Sequence, residues 1–182
     1  SRLTSAQSTV CLNDSSVTKL ERNSLINKTF GTSIKSTFKV FDFNVEENLG
    51  SLSVSAKHDA YKDNFNYIHE RKMTINKKNG NLSGEDNLIS ENTSIQTTNT
   101  YNIRFHLYPG VNAVRTIGKS SVLIQIEKNK SLIFTAMGEN ISLEKSIFLG
   151  RNQIINNSCI SVSGTLKNNE SKKILWNLKR NN

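Results

Sequence analysis

The chain of 182 residues contains only two cysteines, one proline and a small share of aromatic side chains, 7%. Cys11 and Cys159 lie far apart, and the sequence has no Cys-x-x-Cys spacing and no cluster of cysteine with histidine, so a zinc site of that kind is unsupported. Each cysteine lies in an apolar, strand-like run. A disulfide between them is one interpretation of this pair, and two buried free thiols are the interpretation that we favour.

A second set of absences concerns membranes and nucleic acids. No apolar segment approaches the roughly 20 residues of a membrane-spanning helix, and the start of the chain has no hydrophobic signal region. The few aromatic residues do not form the stacking series that is typical of proteins that bind single strands or RNA. We therefore expect no transmembrane segment and no nucleic-acid partner.

Acidic residues are scarce relative to basic ones, 15 against 24, which gives a formal net charge of +9 and a pI near 9.6. This excess favours an anionic partner such as an acidic polysaccharide, although the lysines are spread along the chain and form no basic stripe. The hydrophobic content of 35% and the mean hydropathy of −0.47 are low. Apolar runs nevertheless recur throughout, so we expect an ordered chain, and its length suits one domain.

The apolar residues recur with the period of two that is typical of β-strands, and no window shows a capped helical face. Asn79 and Gly80 favour a hairpin turn, because both residues tolerate positive φ. The segment 90–100, rich in serine, asparagine and threonine, predicts an exposed loop. Many short strands separated by turn residues predict an all-β fold, an antiparallel β-sandwich or barrel. The predicted strands are residues 8–12, 37–43, 51–56, 67–75, 87–90, 100–108, 121–127, 131–136, 141–148, 159–164 and 173–178.

One predicted strand carries a polar row on one face and an apolar row on the other. The alternation directs four residues toward the core, Tyr101, Ile103, Phe105 and Leu107. The opposite face carries Asn102, Arg104, His106 and Tyr108. The strand ends at Pro109 and Gly110. A guanidinium, an imidazole and a phenol in one row suit a sugar or an anion, but a solvated or internally bonded strand face has the same pattern.

A second polar block spans residues 54–73 and contains two of the three histidines. His69 and Arg71 share one face of the predicted strand 67–75, and His58 precedes them. A hydrogen-bonded structural role is the simplest interpretation of His58. The adjacent Asp59 suits a turn cap better than a partner that orients a catalytic imidazole.

Familiar hydrolase signatures are absent from the sequence. No Gly-x-Ser-x-Gly motif is present to support a serine nucleophile. The carboxylate pairs Glu46/Glu47 and Glu85/Asp86 look like loop residues, so no pair suited to glycoside hydrolysis can be selected.

Several short motifs occur in a fixed order along nearly the whole chain. They are His58-Asp-Ala-Tyr61, His69-Glu70-Arg71, Leu82-Ser-Gly84-Glu85-Asp86, Ile103-Arg104-Phe105-His106-Leu107-Tyr-Pro109, Ile141-Ser-Leu-Glu144-Lys-Ser146-Ile-Phe-Leu149-Gly150 and Ile174-Leu-Trp176-Asn-Leu. Each motif is weak alone. Together and in this order they resemble the heparinase II/III-like polysaccharide lyase family.

The resemblance implies that residues 1–182 form a single β-sandwich domain, of the supersandwich type, at the C-terminal end of a larger lyase. The family's other half is an α-helical toroid, which nothing in this sequence supplies. Family members cleave uronate-containing polysaccharides by β-elimination, in which a base removes the proton at C5 and an acid protonates the leaving O4. Tyrosine and histidine share these roles in the family, and its early β-domain motif of the His-x-His type is missing here.

The resemblance also bears on metals and cofactors. The segment Arg2-Leu-Thr-Ser-Ala-Gln7 resembles a family segment in which a histidine, often a metal ligand, stands at the position of Gln7. Glutamine is a poor zinc ligand beside imidazole, carboxylate or thiolate. We therefore expect no metal bound to this chain alone, and no cofactor.

By the same resemblance, six residues are expected near a cleft that faces the toroid, as substrate contacts or as support for them: His58, Tyr61, His69, Arg71, Arg104 and His106. Arg71 and Arg104 are the better partners for carboxylate or sulfate, because a guanidinium engages two oxygens at once. A role confined to bracing the sheet is equally consistent with His69 and Arg104. No catalytic role is assigned to any of the six.

Two other functions stay open at this point: a non-catalytic β-sandwich module that binds an anionic glycan, and a purely structural domain. The resemblance implies action in the bacterial cell envelope or periplasm. It also implies an acidic polysaccharide as the partner, and the sequence does not distinguish heparin-like from alginate-like polymers.

Overall fold

The computed structural model describes residues 4–17, 38–91, 98–150, 153–167 and 170–181. Within these ranges the chain forms a turn of 3-10 helix at Thr4–Ala6, twelve β-strands and one short α-helix, α1 (Lys62–Phe65). The strands in chain order are β1 (Val10–Leu12), β2 (Val40–Glu47), β3 (Ser51–Tyr61), β4 (Tyr67–Asn76), β5 (Leu82–Ser90), β6 (Asn99–His106), β7 (Asn112–Arg115), β8 (Ser121–Glu127), β9 (Lys130–Ala136), β10 (Asn140–Gly150), β11 (Gln153–Leu166) and β12 (Lys172–Asn181).

The strands form two sheets that pack face to face. The smaller sheet has the strand order β1-β6-β11-β10, and the larger has the order β2-β3-β4-β5-β12-β9-β8-β7. Every strand pair in the described ranges is antiparallel. The prediction of an all-β, antiparallel β-sandwich is confirmed.

The core lies between the two sheets and follows from the alternation of apolar side chains. Phe105 of the smaller sheet contacts Phe134 and Trp176 of the larger sheet, with ring centroids 4.9 and 4.8 Å apart. The predicted apolar face of β6 is therefore the face that packs in the core. Because strand residues alternate, Arg104 and His106 lie on the outer face of the smaller sheet.

Gly84 makes room for the only tryptophan of the chain. It lies on β5 directly opposite Trp176 on β12. A Cβ atom at Gly84 would overlap the indole ring. The glycine in the motif at residues 82–86 therefore has a packing role, as is common where glycine interrupts a strand.

The predicted hairpin at Asn79 and Gly80 connects β4 to β5. The Asn76 N–H donates to the Asn81 carbonyl at 2.9 Å, and the Gly80 N–H donates to the Asn76 carbonyl at 2.8 Å. Gly80 adopts a φ of 70°, the left-handed region that glycine tolerates best. The hairpin prediction is confirmed.

Two predictions about carboxylates are wrong. Glu85 and Asp86 lie inside β5, and Glu46 and Glu47 end β2, so neither pair belongs to a loop.

The predicted strand 87–90 is shorter than β5, because Gly84 and Asp86 interrupt the apolar alternation of that strand. Strand β7 and the first half of β11 were not predicted at all, and residues 92–97 of the predicted loop 90–100 lie outside the described residues.

The larger sheet extends past the smaller one at its β2–β4 end. Along the core face of β4, exposure rises from 2% at His69 to 39% at Met73 and 40% at Ile75. Met73 pairs with Val54, and Val54 pairs with Val45, so these side chains share one face. We call Val45, Val54, Met73 and Ile75 the open apolar face.

Both cysteines are buried free thiols, as favoured above. Burial raises the pKa of the Cys159 thiol to about 11, so it stays protonated at neutral pH. Across the part of the chain that the structure describes, no helix combines the length and the apolar character needed to cross a membrane.

Candidate functional site

A buried carboxylate organises the centre of the larger sheet. Asp86 on β5 has no exposed surface. Its Oδ1 lies 2.7 Å from His69 Nε2 and accepts a hydrogen bond from Arg71 Nε at 2.7 Å. Its Oδ2 accepts from Arg71 Nη2 at 3.1 Å and from Trp176 Nε1 at 2.8 Å. Four donors from β4 and β12 therefore surround one carboxylate. We call His58, His69, Arg71, Asp86 and Trp176 the Asp86 network.

The two histidines of this network form a directed chain of hydrogen bonds. A carboxylate only accepts, so His69 Nε2 carries the proton that faces Asp86. Nδ1 of a neutral His69 then accepts from His58 Nε2, 2.9 Å away. His58 Nδ1 accepts in turn from the Ala60 N–H at 3.3 Å. With both imidazoles neutral, all four ring nitrogens have a partner.

The pKa values agree with this assignment. Burial opposes ionisation of Asp86, but the hydrogen bond from His69 and the positive charge of Arg71 outweigh it and lower the pKa of the carboxyl group to about 2. Burial lowers the pKa of His58 to about 4, and the neighbouring His69 adds to the effect. At neutral pH the network therefore contains one ion pair between Asp86 and Arg71, next to a neutral His58.

The stability of the fold should depend on pH through His58. Its pKa is about 6.5 in the unfolded chain and about 4 in the folded protein, so below pH 6.5 the unfolded state binds more protons. The free energy of unfolding should therefore fall as the pH drops from about 6.5 to about 4, by about 3 kcal/mol at most. Urea denaturation at a series of pH values measures this. The His58→Gln variant should lose this slope, whereas Lys57→Gln should keep it. An unchanged slope in His58→Gln would contradict the assignment.

Side chains of the larger sheet also fix residues 8–10, where β1 begins. Arg71 Nη1 donates to the Ser8 carbonyl at 2.6 Å, and the Tyr61 hydroxyl donates to the Val10 carbonyl at 2.7 Å. From the smaller sheet, the His106 N–H donates to Ser8 Oγ at 3.0 Å. Ser8 is thus held by both sheets, and residues 5–8 are positioned over the end of β6.

A groove of about 890 Å³ lies between residues 5–8 and the ends of β6, β10 and β11. We call it the His106 groove. His106 Nδ1 lies 2.9 Å from Ser146 Oγ, and its Nε2 lies 3.1 Å from the Ser5 carbonyl. Because a carbonyl only accepts, Nε2 carries a proton. The rings of Tyr108 and Phe148 meet at the groove, with centroids 5.7 Å apart and planes tilted by 58°.

Among the residues that line the His106 groove, one buried side-chain polar atom has no hydrogen-bond partner. Asn157 Nδ2 donates to the Leu107 carbonyl at 2.7 Å, and this bond fixes the orientation of the amide. Asn157 Oδ1 is buried and accepts no hydrogen bond. A buried acceptor without a donor is costly and rare, and since this oxygen has almost no accessible surface, a ligand in the groove does not reach it.

A model of the family described as heparinase II/III-like, C-terminal, matches residues 1–177 of the chain. The chain belongs to the heparinase II/III-like family. Its fold is shared with three solved structures. These are heparan sulfate lyase HepC from Pedobacter heparinus (TM-score 0.74, 14% identity, 98% of this chain and 24% of that chain), the heparinase III BT4657 gene product (TM-score 0.71, 12% identity, 99% and 24%) and heparinase III (TM-score 0.67, 14% identity, 95% and 23%).

At these identities the structural likeness shows the fold alone. The heparinase II/III-like chain spans about a quarter of the length of the structures that it matches. No curated protein matches it in sequence.

The structure brings together four of the six predicted site residues of this heparinase II/III-like chain. His58, His69 and Arg71 belong to the Asp86 network, and the Tyr61 ring lies 5.7 Å from that of His58. His69 is almost fully buried, and Arg71 directs its donors to Asp86 and Ser8. Contact between these residues and a substrate stays a prediction.

Arg104 and His106 lie elsewhere, on the outer face of the smaller sheet. Arg104 Nη2 is 3.5 Å from Asp14 Oδ1, and its Nε is 3.9 Å from Glu144 Oε2. Two carboxylates therefore already offset much of its charge. His106 lines the groove. Substrate contact by either residue also stays a prediction.

Sequence reasoning missed several residues that the structure makes prominent. Asp86 was dismissed as a loop residue, Ser8 carried no signal, and Phe148 and Asn157 were not singled out. A signal for Asp86 was present, since it alternates with Leu82, Gly84 and Leu88 and therefore shares the face of β5 that carries these apolar residues.

The residues near Gln7 do not fit the metal that the family often carries. Gln7 lines the His106 groove, and its amide is a weak zinc ligand. Within the described ranges, no group of three histidine, cysteine, aspartate or glutamate side chains is arranged to hold a metal ion. We derive no chemical step through a metal, and the expected lack of metal and cofactor stays a prediction.

Proposed function

We propose that this chain is the C-terminal β-sandwich portion of a polysaccharide lyase and that the whole protein cleaves uronate-containing acidic polysaccharide by β-elimination. The observation that carries the proposal is the family match across residues 1–177. One protein of the same fold is a heparan sulfate lyase, which agrees with the proposal. We propose action in the bacterial cell envelope or periplasm, where such polymers are accessible.

The reaction requires three contributions from the whole protein. A base removes the proton at C5 of the uronate, the electron pair forms the C4–C5 double bond, and the C4–O4 bond breaks as an acid protonates O4. Cationic or hydrogen-bonding groups stabilise the charge that builds up on the uronate carboxylate. In our proposal this chain forms one wall of the cleft, and other polypeptide forms the opposite wall.

Two features of the chain support the proposal that it forms one wall of the cleft and that other polypeptide forms the opposite wall. The open apolar face is continuous with the core but is not covered by the smaller sheet, and a surface of this kind is typical of an interface. We propose that the polypeptide that makes the relatives about four times longer packs there. The net charge of +9 adds attraction for an acidic polymer.

The chemistry of the products tests the proposal. The longer protein that contains this chain should convert a uronate polymer into oligosaccharides that carry a C4–C5 double bond at the new end. Ultraviolet absorbance and mass spectrometry detect this bond, because each eliminated product lacks the water that hydrolysis would add. Products that are fully saturated would identify a hydrolase and contradict the proposal.

A non-catalytic glycan-binding module is a second candidate function, and the His106 groove favours it. A groove of this volume beside an exposed tyrosine can bind sugar without any acid or base. Sugar binding by a longer protein that produces no double bond would support the module over the lyase.

A further inference from the structure

We propose that a pocket on the outer face of the larger sheet, beside the β4–β5 hairpin, binds one uronate unit of the acidic polysaccharide. In this inference the amide and hydroxyl side chains of the pocket contact the sugar hydroxyls, and Lys78 and Lys179 attract the carboxylate. We call it the hairpin pocket. The inference rests on the proposed function for the identity of the polymer, and nothing else in it depends on catalysis.

The lining of the hairpin pocket is polar and uncharged. The pocket has a volume of about 250 Å³, which suits a single sugar unit, since sites for larger ligands measure about 300–1,000 Å³. Apart from Leu82, every described residue that lines it carries a hydroxyl or an amide. Thr74 pairs with Ser83, and Ser83 pairs with Asn177, so these side chains share one face of the sheet. Such a lining matches a ring that carries hydroxyl groups.

The hairpin holds its asparagines so that their amide NH2 groups are left to donate. Asn76 Oδ1 accepts from the N–H groups of Lys78 and Asn79, at 2.9 and 3.2 Å. Asn79 Oδ1 accepts from the Asn81 N–H at 2.9 Å, and Asn81 Oδ1 accepts from the Arg180 N–H at 3.2 Å. A backbone N–H only donates, so these bonds identify the oxygen of each amide. The NH2 groups of the three asparagines form no hydrogen bond to any other described residue.

Asn177 adds an amide that can both donate and accept. Its side chain is half-buried, and it forms no hydrogen bond with another residue that the structure describes. A sugar hydroxyl also donates and accepts, so it can satisfy either atom of this amide. Together with the NH2 groups of the hairpin, the pocket offers more donors than acceptors. This excess favours a ligand that combines hydroxyls with a carboxylate.

Two lysines lie beside the pocket. Lys78 is in the hairpin, and Lys179 follows Asn177 by two residues on β12, so its side chain leaves the same face of the sheet. Both lysines are exposed, and neither forms an ion pair with a carboxylate in the described ranges. Glu85 lies further along this face and pairs with Lys173 at 2.9 Å. The charges of Lys78 and Lys179 are therefore available to an anionic ligand.

The two ends of the larger sheet differ in charge. The β4–β5 hairpin, the β8–β9 turn and the end of β12 lie at one end of the sheet. In the part of the chain that the structure describes, this end carries four cations without an ion-pair partner: Lys78, Lys128, Lys179 and Arg180. At the opposite end, Lys62 pairs with Glu91 at 2.7 Å and Lys172 pairs with Glu139 at 3.0 Å. The field at the hairpin end therefore favours an acidic polymer.

Titration of the 182-residue chain with a uronate oligosaccharide, followed by calorimetry and NMR, tests the inference. We expect saturable binding that is about fivefold weaker in Asn177→Ala, because a hydrogen bond to the sugar is lost. Asn112→Ala is the matched control, since Asn112 lies on the outer face of the same sheet, on β7 and away from the pocket. Its affinity should stay within about twofold of the wild type. NMR shifts outside the pocket show whether each variant keeps the fold.

A double variant tests the contribution of charge. We expect Lys78→Gln/Lys179→Gln to bind about tenfold more weakly than the wild type, with a smaller dependence on salt. Lys119→Gln/Lys167→Gln is the matched control, because it removes the same charge from exposed lysines at the opposite end of the molecule. Its affinity should stay within about threefold of the wild type. A carboxyl-reduced oligosaccharide should bind the wild type about tenfold more weakly than the uronate form.

Four results would overturn the inference. The first is no saturable binding by the wild-type chain, and the second is unchanged affinity in Asn177→Ala. The third is an equal loss in the two double variants, because the attraction would then come from the net charge of the whole chain. The fourth is equally tight binding of single-stranded DNA of similar charge. We expect weaker DNA binding, since the described lining of the pocket has no aromatic side chain on which bases stack.

Failure of this inference and failure of the proposed function give different results. If the longer protein forms unsaturated products while the chain ignores the oligosaccharide, the assignment of the hairpin pocket is wrong and the lyase proposal stands. If the chain binds sugar through Asn177 while no unsaturated product forms, the lyase proposal is wrong and the assignment of the hairpin pocket stands.

Discussion

Replacement of Asp86 by alanine is expected to lower the free energy of unfolding by about 3–5 kcal/mol. The side chain accepts four hydrogen bonds from His69, Arg71 and Trp176 within a fully buried site. Its removal leaves the guanidinium of Arg71 without its buried counter-charge and the donors of His69 and Trp176 without acceptors. Each of these losses is costly in the interior of a protein.

Chemical denaturation of the variant and the wild type measures the change. Glu85→Ala is the matched control, because Glu85 is the neighbouring carboxylate on β5 and pairs with Lys173 on the other face, partly exposed, at 2.9 Å. Its loss should cost less than about 1 kcal/mol. If Asp86→Ala and Glu85→Ala cost the same, the central role of the Asp86 network is wrong.

The alternation of apolar residues predicted the fold well where each strand has one buried face. Residues 101–107 illustrate this, because Phe105 packs on Trp176 while His106 faces outward. The dipeptide at Asn79 and Gly80 identified a hairpin from its backbone preferences alone. These features depend on residues that are close in sequence, which is why local patterns contain them.

The Asp86 network could not be predicted in the same way. It depends on the register between β4, β5 and β12, which places Arg71 opposite Asp86 and Trp176 opposite Gly84. A buried carboxylate is stable only when such partners exist, and the partners come from segments that are distant in the chain. When these partners are not known, the sequence around Asp86 resembles that of a loop.

The His106 groove was predicted only in part. The polar row at residues 102–108 suited either a sugar or an ordinary strand face, and the family resemblance added His106 to the candidate site residues. The other walls come from residues 5–8, β10 and β11, and their meeting requires the strand order β1-β6-β11-β10. Nothing in the sequence alone shows that Phe148 faces Tyr108 or that Asn157 has an unpartnered oxygen.

The 182-residue chain alone is expected to cleave uronate polymers at least about a thousandfold more slowly than the longer lyase of which we propose it is a part. General acid–base catalysis contributes about 10²–10⁴ in rate, and we assign the base and the acid to the opposite wall of the cleft. In this chain, the histidines of the Asp86 network have their ring nitrogens engaged, and His69 is almost fully buried. They support the structure near the groove and are not free to exchange protons with a sugar.

The comparison is made at equal molar concentration, with the initial rate of absorbance increase from the unsaturated uronate as the readout.

The rate of unsaturated product formation by the isolated chain, measured beside the longer protein, tests the central claim most directly. Our account predicts robust formation by the longer protein and none above background from the chain alone. Comparable turnover by both would show that the acid and the base lie within these 182 residues, and it would contradict the division of the cleft into two walls.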